Sequence, residues 1–269
     1  MTNILNNVAQ VLTPGEDRAI ALLENEFRGD NWALNYIEQQ KFRCSDDAKK
    51  AVIYSKGHPI LNIGGAPYVF ESLYRSMVNS QVETIDLNPD RHKNQIDNLG
   101  LCVHSCNIEL IESYNFIEVK KFRLILLSEI LEHLRFDIIN TLSLIRDFMH
   151  ADCLLMVTTP NFYYRPTFMN MIAQQRSGPV PLSQWSKIKA IGHMGHVREY
   201  SRIEVIELFQ YLDFDIIYEE FRNSRRRIFP DGLDLSKPLH KWHYEAETKP
   251  HLAQEMVFIF KKKQNAFKR

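Results

Sequence analysis

The residues most able to move a proton are grouped in one short segment, Ser128-Glu-Ile-Leu-Glu-His-Leu134. Within it, Glu129, Glu132 and His133 have the i, i+3, i+4 spacing that brings side chains together near one face at a helix start. Because an imidazole titrates near neutrality, His133 is a candidate general base. A second candidate base, His196, ends the segment Gly192-His-Met-Gly-His196. Either histidine would otherwise be a structural residue, His133 packing the helix start and His196 hydrogen-bonded in a loop.

A turn suited to a nucleotide-like ligand lies in Pro59-Ile-Leu-Asn-Ile-Gly-Gly-Ala-Pro67. The apolar run before it predicts a buried strand, and the spacing of Val69, Leu73 and Met77 after it predicts a helix. The two glycines allow positive φ and close approach of a ligand, beside the unpaired N–H groups of the helix start. The third glycine of the dinucleotide fingerprint is absent. A cofactor with an adenosine and a carboxylate but no pyrophosphate, such as S-adenosylmethionine, fits better. By itself the turn also fits an ordinary strand-to-helix connection.

Polar residues follow the next two predicted strands. Asp86 ends the second strand, 22 residues after Gly64, where a carboxylate can accept hydrogen bonds from both ribose hydroxyls of an adenosine. The alternative role of Asp86 is to start the turn at Asn88-Pro89, and we favour the ligand role. Asn107-Ile108 follows the third strand and either contacts an adenine ring or forms a simple turn.

Alternating strands and helices would bring these segments together. This order predicts a doubly wound, mainly parallel α/β sheet with right-handed crossovers. Such sheets bind ligands beyond the carboxyl ends of their strands, here at the switch point beside the first strand. The seven predicted strands cover residues 60–63, 82–87, 101–104, 123–127, 154–158, 214–218 and 256–260.

The remaining segments predict N-terminal helices and two insertions. Residues 1–14 are expected to be a loosely held lead-in. Helical patterns follow over 16–41, with a break at Gly29-Asp30, and over 46–55, and should cover the cofactor pocket or one sheet edge. Later helices are predicted over 138–149 and after the capping box Ser201-x-x-Glu204. The chain is thus divided into a helical lead-in, 1–56, and a domain, 57–269, with insertions at 160–195 and 221–251 that form a substrate cap.

Composition and charge limit the functional classes. Lysine plus arginine and aspartate plus glutamate number 33 each, so the overall field favours neither nucleic acid nor an anionic membrane. No apolar run approaches the roughly 20 residues needed to cross a bilayer, and residues 1–10 lack the features of a signal peptide. The four cysteines, at 44, 102, 106 and 153, form no C-x-x-C pair and are expected to be buried thiols of a reducing compartment. We expect a cytoplasmic protein without membrane insertion. Nothing in the composition argues against a homo-oligomer.

Together these segments resemble the class I S-adenosylmethionine-dependent methyltransferases, over about Pro59 to Phe260. The resemblance is carried by the order and spacing of the Gly64-Gly65 turn, the strand ending in Asp86, Asn107-Ile108, Ser128 to Leu134, Thr158-Thr-Pro-Asn161 and Gly195-His-Val-Arg-Glu-Tyr-Ser201. It implies a Rossmann-like methyltransferase domain at 57–269 with S-adenosylmethionine as methyl donor. Two positions depart from the pattern: Asn62 stands where an acidic residue is common, and Asn107 where aspartate is common. Both keep an acceptor but lose charge.

The resemblance also implies roles for individual residues. Gly64 to Ala66 would contact the methionine end of the cofactor, and Ser128 and Glu129 would lie beside the sulfonium. The candidate cofactor-binding residues are Asn62, Gly64, Gly65, Ala66, Asp86, Leu87, Asn107, Ile108, Ser128 and Glu129.

The leading functional hypothesis is O-methylation of a small-molecule or glycan acceptor, with His133 or His196 as base. Glu129, Glu132 and His133, with His193 or His196, are similar to a divalent-metal site in two related branches. These branches are the small-RNA 3′-terminal 2′-O-methyltransferases and the ubiquinone-pathway O-methyltransferases. Because spacing alone rarely establishes a carboxylate and imidazole site, we predict no metal.

Two other functions compete with the leading hypothesis. An RNA 2′-O-methyltransferase is disfavoured by the zero net charge and the lack of an added basic domain, so a nucleic-acid partner is not expected. A non-catalytic methyltransferase-fold subunit is suggested by Asn62 and Asn107. The basic stretch after the sixth strand predicts that Arg222, Arg225 or Arg226 helps to bind a small neutral or anionic acceptor.

Overall fold

The computed structural model describes residues 4–110, 122–176, 182, 186, 195–225 and 228–263. That part of the chain contains eight strands: β1 (Ile4–Asn7), β2 (Ile60–Ile63), β3 (Val82–Asp86), β4 (Cys102–Ser105), β5 (Leu124–Ser128), β6 (Leu154–Pro160), β7 (Phe214–Asn223) and β8 (Glu255–Lys262). They form one sheet in the order β1-β7-β8-β6-β5-β2-β3-β4. Only β8 runs antiparallel to its neighbours, β6 and β7. The prediction of a doubly wound, mainly parallel α/β sheet is confirmed.

The sheet has one strand more than the seven predicted. β1 pairs in parallel with the end of β7, from Ile4 opposite Glu220 to Asn7 opposite Asn223. The expectation of a loose lead-in was therefore wrong for these residues. Only four residues form this edge strand and none of them is buried, so it lacks the apolar signal of the central strands.

The described residues form eight α-helices: α1 (Pro14–Glu26), α2 (Asn31–Ser55), α3 (Val69–Met77), α4 (Lys93–Leu99), α5 (Ile138–Phe148), α6 (Arg165–Ala173), α7 (Arg202–Tyr211) and α8 (Pro238–Thr248). Short 3-10 turns cover Pro89–His92, Leu131–His133 and Pro250–Leu252. The capping box predicted at Ser201 and Glu204 is present at the start of α7. The helical segments predicted over 31–41 and over 46–55 belong to one continuous helix, α2. The sequence did not predict this continuity because the buried face of α2 is largely polar over its second half.

Alternate residues of the central strands pack on opposite faces of the sheet, as the side-chain period of a strand requires. On one face, Leu61 and Ile125 belong to an apolar cluster with α5 and α7. On the other, Ile60 and Leu124 belong to a second cluster with α1, α2 and α3. The central strands are buried on both faces, which explains why they are short continuous apolar runs in the sequence.

The two predicted insertions contact each other. α6 and α8 pack together, and Arg165 Nε lies 2.7 Å from Glu245 Oε2. The second insertion begins later than predicted, because β7 continues to Asn223, and it contains helix α8. Residues 177–181, 183–185 and 187–194 of the first insertion lie outside the described part of the chain.

The four cysteines are all free thiols. Cys44 and Cys153 are buried as expected, but Cys102 is exposed and Cys106 is half-buried. The expectation of buried thiols was wrong for Cys102 because it lies on β4, the strand at one edge of the sheet. Among the described residues, no helix is both long and apolar enough to span a membrane.

Candidate active site

A cavity of about 450 Å³ opens beyond the carboxyl ends of β2, β3 and β5. It lies where the chain switches from one side of β2 to the other, since β2 pairs with both β3 and β5. This is the ligand position expected for a doubly wound sheet. The candidate residues that line it are Gly64, Ala66, Asp86, Leu87, Asn107, Ile108, Ser128, Glu129, His133 and His196.

The turn after β2 requires both of its glycines. Gly64 has a φ of +82°, and a Cβ at this position would overlap Cδ1 of Ile130. A Cβ on Gly65 would lie 2.5 Å from Thr84 Cγ2 and 2.6 Å from Glu71 Oε1. The backbone of the turn therefore lies closer to its neighbours than any side chain would permit.

Asp86 joins this turn to the end of β3. Its Oδ2 accepts hydrogen bonds from the backbone N–H groups of Gly65 at 3.2 Å and Ala66 at 3.0 Å. Its Oδ1 accepts one from Asn88 N–H at 3.1 Å. Asp86 thus has the turn-forming role considered for it, and its half-buried carboxylate also faces the cavity.

Asn62 does not line the cavity. It is 2% exposed, and its Nδ2 donates to Glu71 Oε1 at 2.8 Å. Thr84 Oγ1 donates to the same oxygen at 2.7 Å. Burial raises the pKa of Glu71 to about 7, although these two hydrogen bonds oppose the shift. The acidic group near the turn therefore comes from α3, and an aspartate at position 62 would place a second carboxylate against it.

Further candidate cofactor-binding residues follow β3 and β4. Asn107 Oδ1 accepts from Glu109 N–H at 3.0 Å, so this side chain does form a turn while also lining the cavity. Ile108 is 9% exposed and Leu87 is 42% exposed. Both side chains line the cavity and give it apolar contacts.

Helix α2 contributes a wall of the cavity whose individual residues the sequence did not predict. Trp32, Tyr36, Gln40 and Arg43 line the cavity, so α2 is the N-terminal helix that covers it. Their spacing of four, four and three residues places them on one helix face, and this was the available signal. Arg43 Nη1 donates to Ser128 Oγ at 2.8 Å, which places a guanidinium beside the end of β5.

Glu129 lies at the centre of the site with an unusual backbone. Its φ is +56°, a left-handed conformation that non-glycine residues rarely adopt. Its N–H donates to Thr158 O at 2.9 Å, and its Oε1 accepts from Thr158 Oγ1 at 3.2 Å. Burial and the nearby Glu255 carboxylate raise the pKa of Glu129 to about 7, against the opposing effect of Arg43 and Arg222.

His133 and His196 lie side by side, with ring centroids 5.0 Å apart. The segment around His196 is held against the 3-10 turn because Val197 N–H donates to Glu132 O at 2.7 Å. His133 Nδ1 lies 2.8 Å from Gly195 O, and because a carbonyl can only accept, this nitrogen carries the proton. His196 Nδ1 lies 3.0 Å from Glu199 Oε1.

Both imidazoles face the buried side chain of Glu132. Each Nε2 lies 3.9 Å from Glu132 Oε1, while Glu132 Oε2 accepts from Thr159 Oγ1 at 3.1 Å. Burial, and then the Glu129 carboxylate, raise the pKa of Glu132 well above its usual range. One oxygen and two ring nitrogens thus converge, which suits either a proton or a metal ion. Glu129 is not part of this cluster, and His193 lies outside the described residues.

The arginines assigned to acceptor binding have different environments. Arg222 is fully buried, and its guanidinium contacts Asp46 at 2.8 Å, Asp47 at 2.6 Å and Glu255 at 2.8 Å. The prediction of an open anion contact was wrong for this residue because its charge is already balanced inside the protein. Arg225 is exposed, and Arg226 lies outside the described residues.

Comparisons with known proteins give the class of fold. No family profile matches the sequence, and no curated protein is similar to it in sequence. Among solved structures, one similar protein is an S-adenosylmethionine-dependent methyltransferase from Archaeoglobus fulgidus. It has 16% identity and a TM-score of 0.54 over 90% of this chain and 99% of its own. A second is a Haloferax volcanii methyltransferase described as putative, in complex with the activator Trm112. It has 12% identity and a TM-score of 0.56 over 91% of this chain and 99% of its own.

A third similar structure is geranyl diphosphate C-methyltransferase from Streptomyces coelicolor A3(2), bound to Mg²⁺, geranyl diphosphate and S-adenosyl-L-homocysteine. It has 13% identity and a TM-score of 0.50 over 94% of this chain and 100% of its own. The protein therefore has the fold of the class I S-adenosylmethionine-dependent methyltransferases, as its sequence motifs implied. At sequence identities this low, the similarity shows the fold alone, and the reaction has to be inferred from the residues of the site.

Proposed function

We propose that this protein is an S-adenosylmethionine-dependent O-methyltransferase that acts on a small-molecule or glycan acceptor. The observation that carries the proposal is that one cavity is lined both by Gly64, Ala66 and Asp86 and by His133 and His196. The first three residues suit the binding of an adenosine, and the two histidines are candidate proton acceptors. S-adenosyl-L-homocysteine in the similar C-methyltransferase supports the choice of cofactor.

The cavity suggests how the cofactor is held. The Asp86 carboxylate accepts hydrogen bonds from the ribose hydroxyls, Leu87 and Ile108 contact the adenine faces, and Asn107 offers an amide donor to a ring nitrogen. The turn at Gly64, Gly65 and Ala66 holds the methionine end. We place the cofactor's carboxylate near Arg43, because this buried cation lines the cavity beside Ser128.

The methyl group would then lie between Glu129 and the two histidines. S-adenosylmethionine bound there would supply the methyl group: the S–C bond would break as the acceptor oxygen forms the new O–C bond, which would leave a neutral thioether. The acceptor's proton passes to Nε2 of His133 or His196. The protein contributes alignment and proton removal, while the sulfonium supplies the leaving group.

The two insertions support a small acceptor. α6 and α8 pack together and lie at the same edge of the sheet as the ends of β6 and β7, so they can form the cap over the acceptor. A mitomycin 7-O-methyltransferase is also similar in fold, with 11% identity and a TM-score of 0.50 over 93% of this chain and 69% of its own. The balanced charge of the chain favours such an acceptor over RNA.

The proposal is tested by turnover with a labelled methyl donor. The purified protein is incubated with S-adenosylmethionine and a panel of phenols, polyketide-like alcohols and sugars, and methylated products are identified by mass spectrometry. Replacing the histidine that acts as base with alanine should lower the rate by about 10²–10⁴-fold and leave cofactor affinity nearly unchanged. Salt-sensitive binding and methylation of RNA would support the RNA alternative instead. Cofactor binding with no methylated product from either the panel or RNA would favour a non-catalytic subunit.

A further inference from the structure

A second cavity opens at the opposite edge of the sheet from the candidate active site. Its volume is about 370 Å³, within the range of roughly 300–1,000 Å³ that small-molecule sites occupy. Arg123 and Leu154 line it where β5 and β6 begin, and Lys261 lies opposite Leu154 on the antiparallel strand β8. The two cavities share no lining residue. The residues that line the second cavity are Ile53, Tyr54, Lys56, Arg123, Asp152, Leu154, Ile217 and Lys261.

The wall of this second cavity carries more positive than negative charge. Its cations are Lys56, Arg123 and Lys261, and its one carboxylate is that of Asp152. The carboxyl end of α2, next to Lys56, adds a partial charge of about −0.5, which leaves the wall positive. Arg123 Nη1 lies 3.6 Å from Asp152 Oδ2, and the aspartate side chain is 62% exposed, so this ion pair is weak. Neither lysine forms an ion pair with a described residue. The wall can therefore accept an anionic group.

Apolar side chains line the cavity beside these cations. Ile217 is 44% exposed and lies where the register of β7 against β8 shifts, between Ile216 and Tyr218. Such a bulge changes the direction of a side chain. Ile53, on the last turns of α2, is 66% exposed, and the half-buried Tyr54 follows it. The cavity thus offers an apolar surface, which gains free energy when a ligand covers it.

Lys56 has a backbone conformation that its side chain does not favour. It caps the carboxyl end of α2 with a φ of +53°. At the end of a helix, glycine usually supplies this left-handed conformation, because a Cβ makes it costly. Replacing Lys56 with glycine therefore removes the charge without adding strain to the folded backbone. This position can separate the binding of an anion from the stability of the protein.

We propose that this cavity binds a small organic anion, in which a carboxylate, sulfonate or phosphate group is joined to an apolar body. The three cations would contact the anionic group, and Tyr54 and the two isoleucines would contact the apolar body. An inorganic anion would use the cations alone and would bind more weakly, because it covers no apolar surface. The inference goes beyond the proposed function and does not depend on it.

The test is a fluorescence titration of the native, full-length protein with anilinonaphthalene sulfonate, an aromatic sulfonate that becomes fluorescent when it binds. The salt concentration is about 0.15 M, at which charges more than about 8 Å away are largely screened. We expect one saturable site per chain. Lys261→Gln should weaken binding by about 10-fold, the effect of losing one hydrogen bond to a charged group.

Lys262→Gln is the matched control for Lys261→Gln. Lys262 is the next residue of β8 and does not line the cavity, and its Nζ donates to Arg146 O at 3.1 Å. Because successive residues of a strand point to opposite faces of the sheet, this variant removes the same charge from the other face. It should bind the probe as the wild type does.

Two further variants distinguish a lost contact from a damaged fold. Asp152→Asn should tighten probe binding by about 2–5-fold, because it removes the carboxylate that competes for Arg123. Lys56→Gly should weaken binding by about 10-fold, while its urea midpoint is no lower than that of the wild type.

Four results would overturn the inference. They are absence of a saturable one-to-one site, equal losses in Lys261→Gln and Lys262→Gln, no gain of affinity in Asp152→Asn, and displacement of the probe by S-adenosyl-L-homocysteine. The last result would place the probe in the first cavity. Inorganic phosphate should displace the probe only at concentrations at least about 10-fold higher than an organic anion needs. Equal competition by phosphate would reject the apolar part of the ligand.

Discussion

Gly64 shows how one backbone position sets the shape of the cavity. Its φ is +82°, and a Cβ would meet Ile130. We expect Gly64→Ala to lower the free energy of unfolding by about 1–2 kcal/mol through its left-handed backbone and to weaken S-adenosylmethionine binding, because the turn or Ile130 must shift.

Gly232 provides a matched control for this substitution. Its φ is +84°, but a Cβ added at this position would meet no atom within 4 Å. Gly232→Ala should reduce stability by the backbone contribution alone, about 1–2 kcal/mol, without changing cofactor affinity. Urea unfolding and calorimetry would measure the two effects. Wild-type cofactor affinity in Gly64→Ala would show that the turn does not hold the ligand.

Glu71 makes the stability of the protein depend on pH. Its pKa is raised from 4.5 to about 7 in the folded protein, mainly by burial, so the folded state binds this proton more tightly than the unfolded state. The stabilisation is complete below about pH 4.5 and is lost as the pH rises through 7. This loss amounts to about 3 kcal/mol. Glu71→Gln should flatten this part of the stability profile in urea titrations between pH 4.5 and 8. An unchanged slope would contradict the assignment.

At the residue scale, the sequence predicted partners that are close along the chain better than those that are distant. The capping box at Ser201 and Glu204 needs only three residues of separation, and it was identified. The Asn62–Glu71 hydrogen bond joins a strand to the helix after it. The sequence showed only that Asn62 lacks the charge that is common at this position, and it did not show the partner. The sequence predicted His133 and His196 as alternative bases of one site. Their separation and orientation could not be predicted, because they depend on how the segment after Gly195 folds back.

At the scale of elements, a buried ion network joins α2 to β7 and β8. Arg222 contacts Asp46 and Asp47 of α2 and Glu255 of β8. Arg222→Met should lower the free energy of unfolding by about 3–5 kcal/mol, because removing one partner leaves buried charges uncompensated. Arg225→Met, at an exposed neighbouring position, should change it little. Urea unfolding tests both variants, and equal stabilities would mean that the network does not tie α2 to the sheet.

The polarity of the buried faces explains which elements the sequence could predict. The central strands are apolar on both faces, and the sequence predicted their positions along the chain to within one or two residues at each end. The second half of α2 buries Asp47 and Lys50, so its inward face lacks the apolar period of a helix and was interpreted as a separate segment. α8 buries only Ala246, which leaves a helix in an insertion without a clear hydrophobic face.

At the scale of the whole molecule, the sheet places three contributions around one cavity. The strands supply the glycine turn and Asp86, α2 supplies Arg43 and an aromatic wall, and the segment after Gly195 supplies His196. The residues that line this cavity are therefore far apart in the described chain. The sequence predicted the first contribution in detail because its motifs are local, whereas the second depends on packing between α2 and the sheet.

Calorimetry of cofactor binding is the direct test of whether this cavity binds S-adenosylmethionine through Asp86. The wild-type protein should bind S-adenosylmethionine or S-adenosyl-L-homocysteine with one site per chain. Asp86→Ala should weaken binding by about 10²–10⁴-fold, because two hydrogen bonds to a charged acceptor are lost. Asp90→Ala, an exposed aspartate four residues later, should bind as the wild type does. Absence of binding by the wild-type protein, or unchanged affinity in Asp86→Ala, would contradict the account.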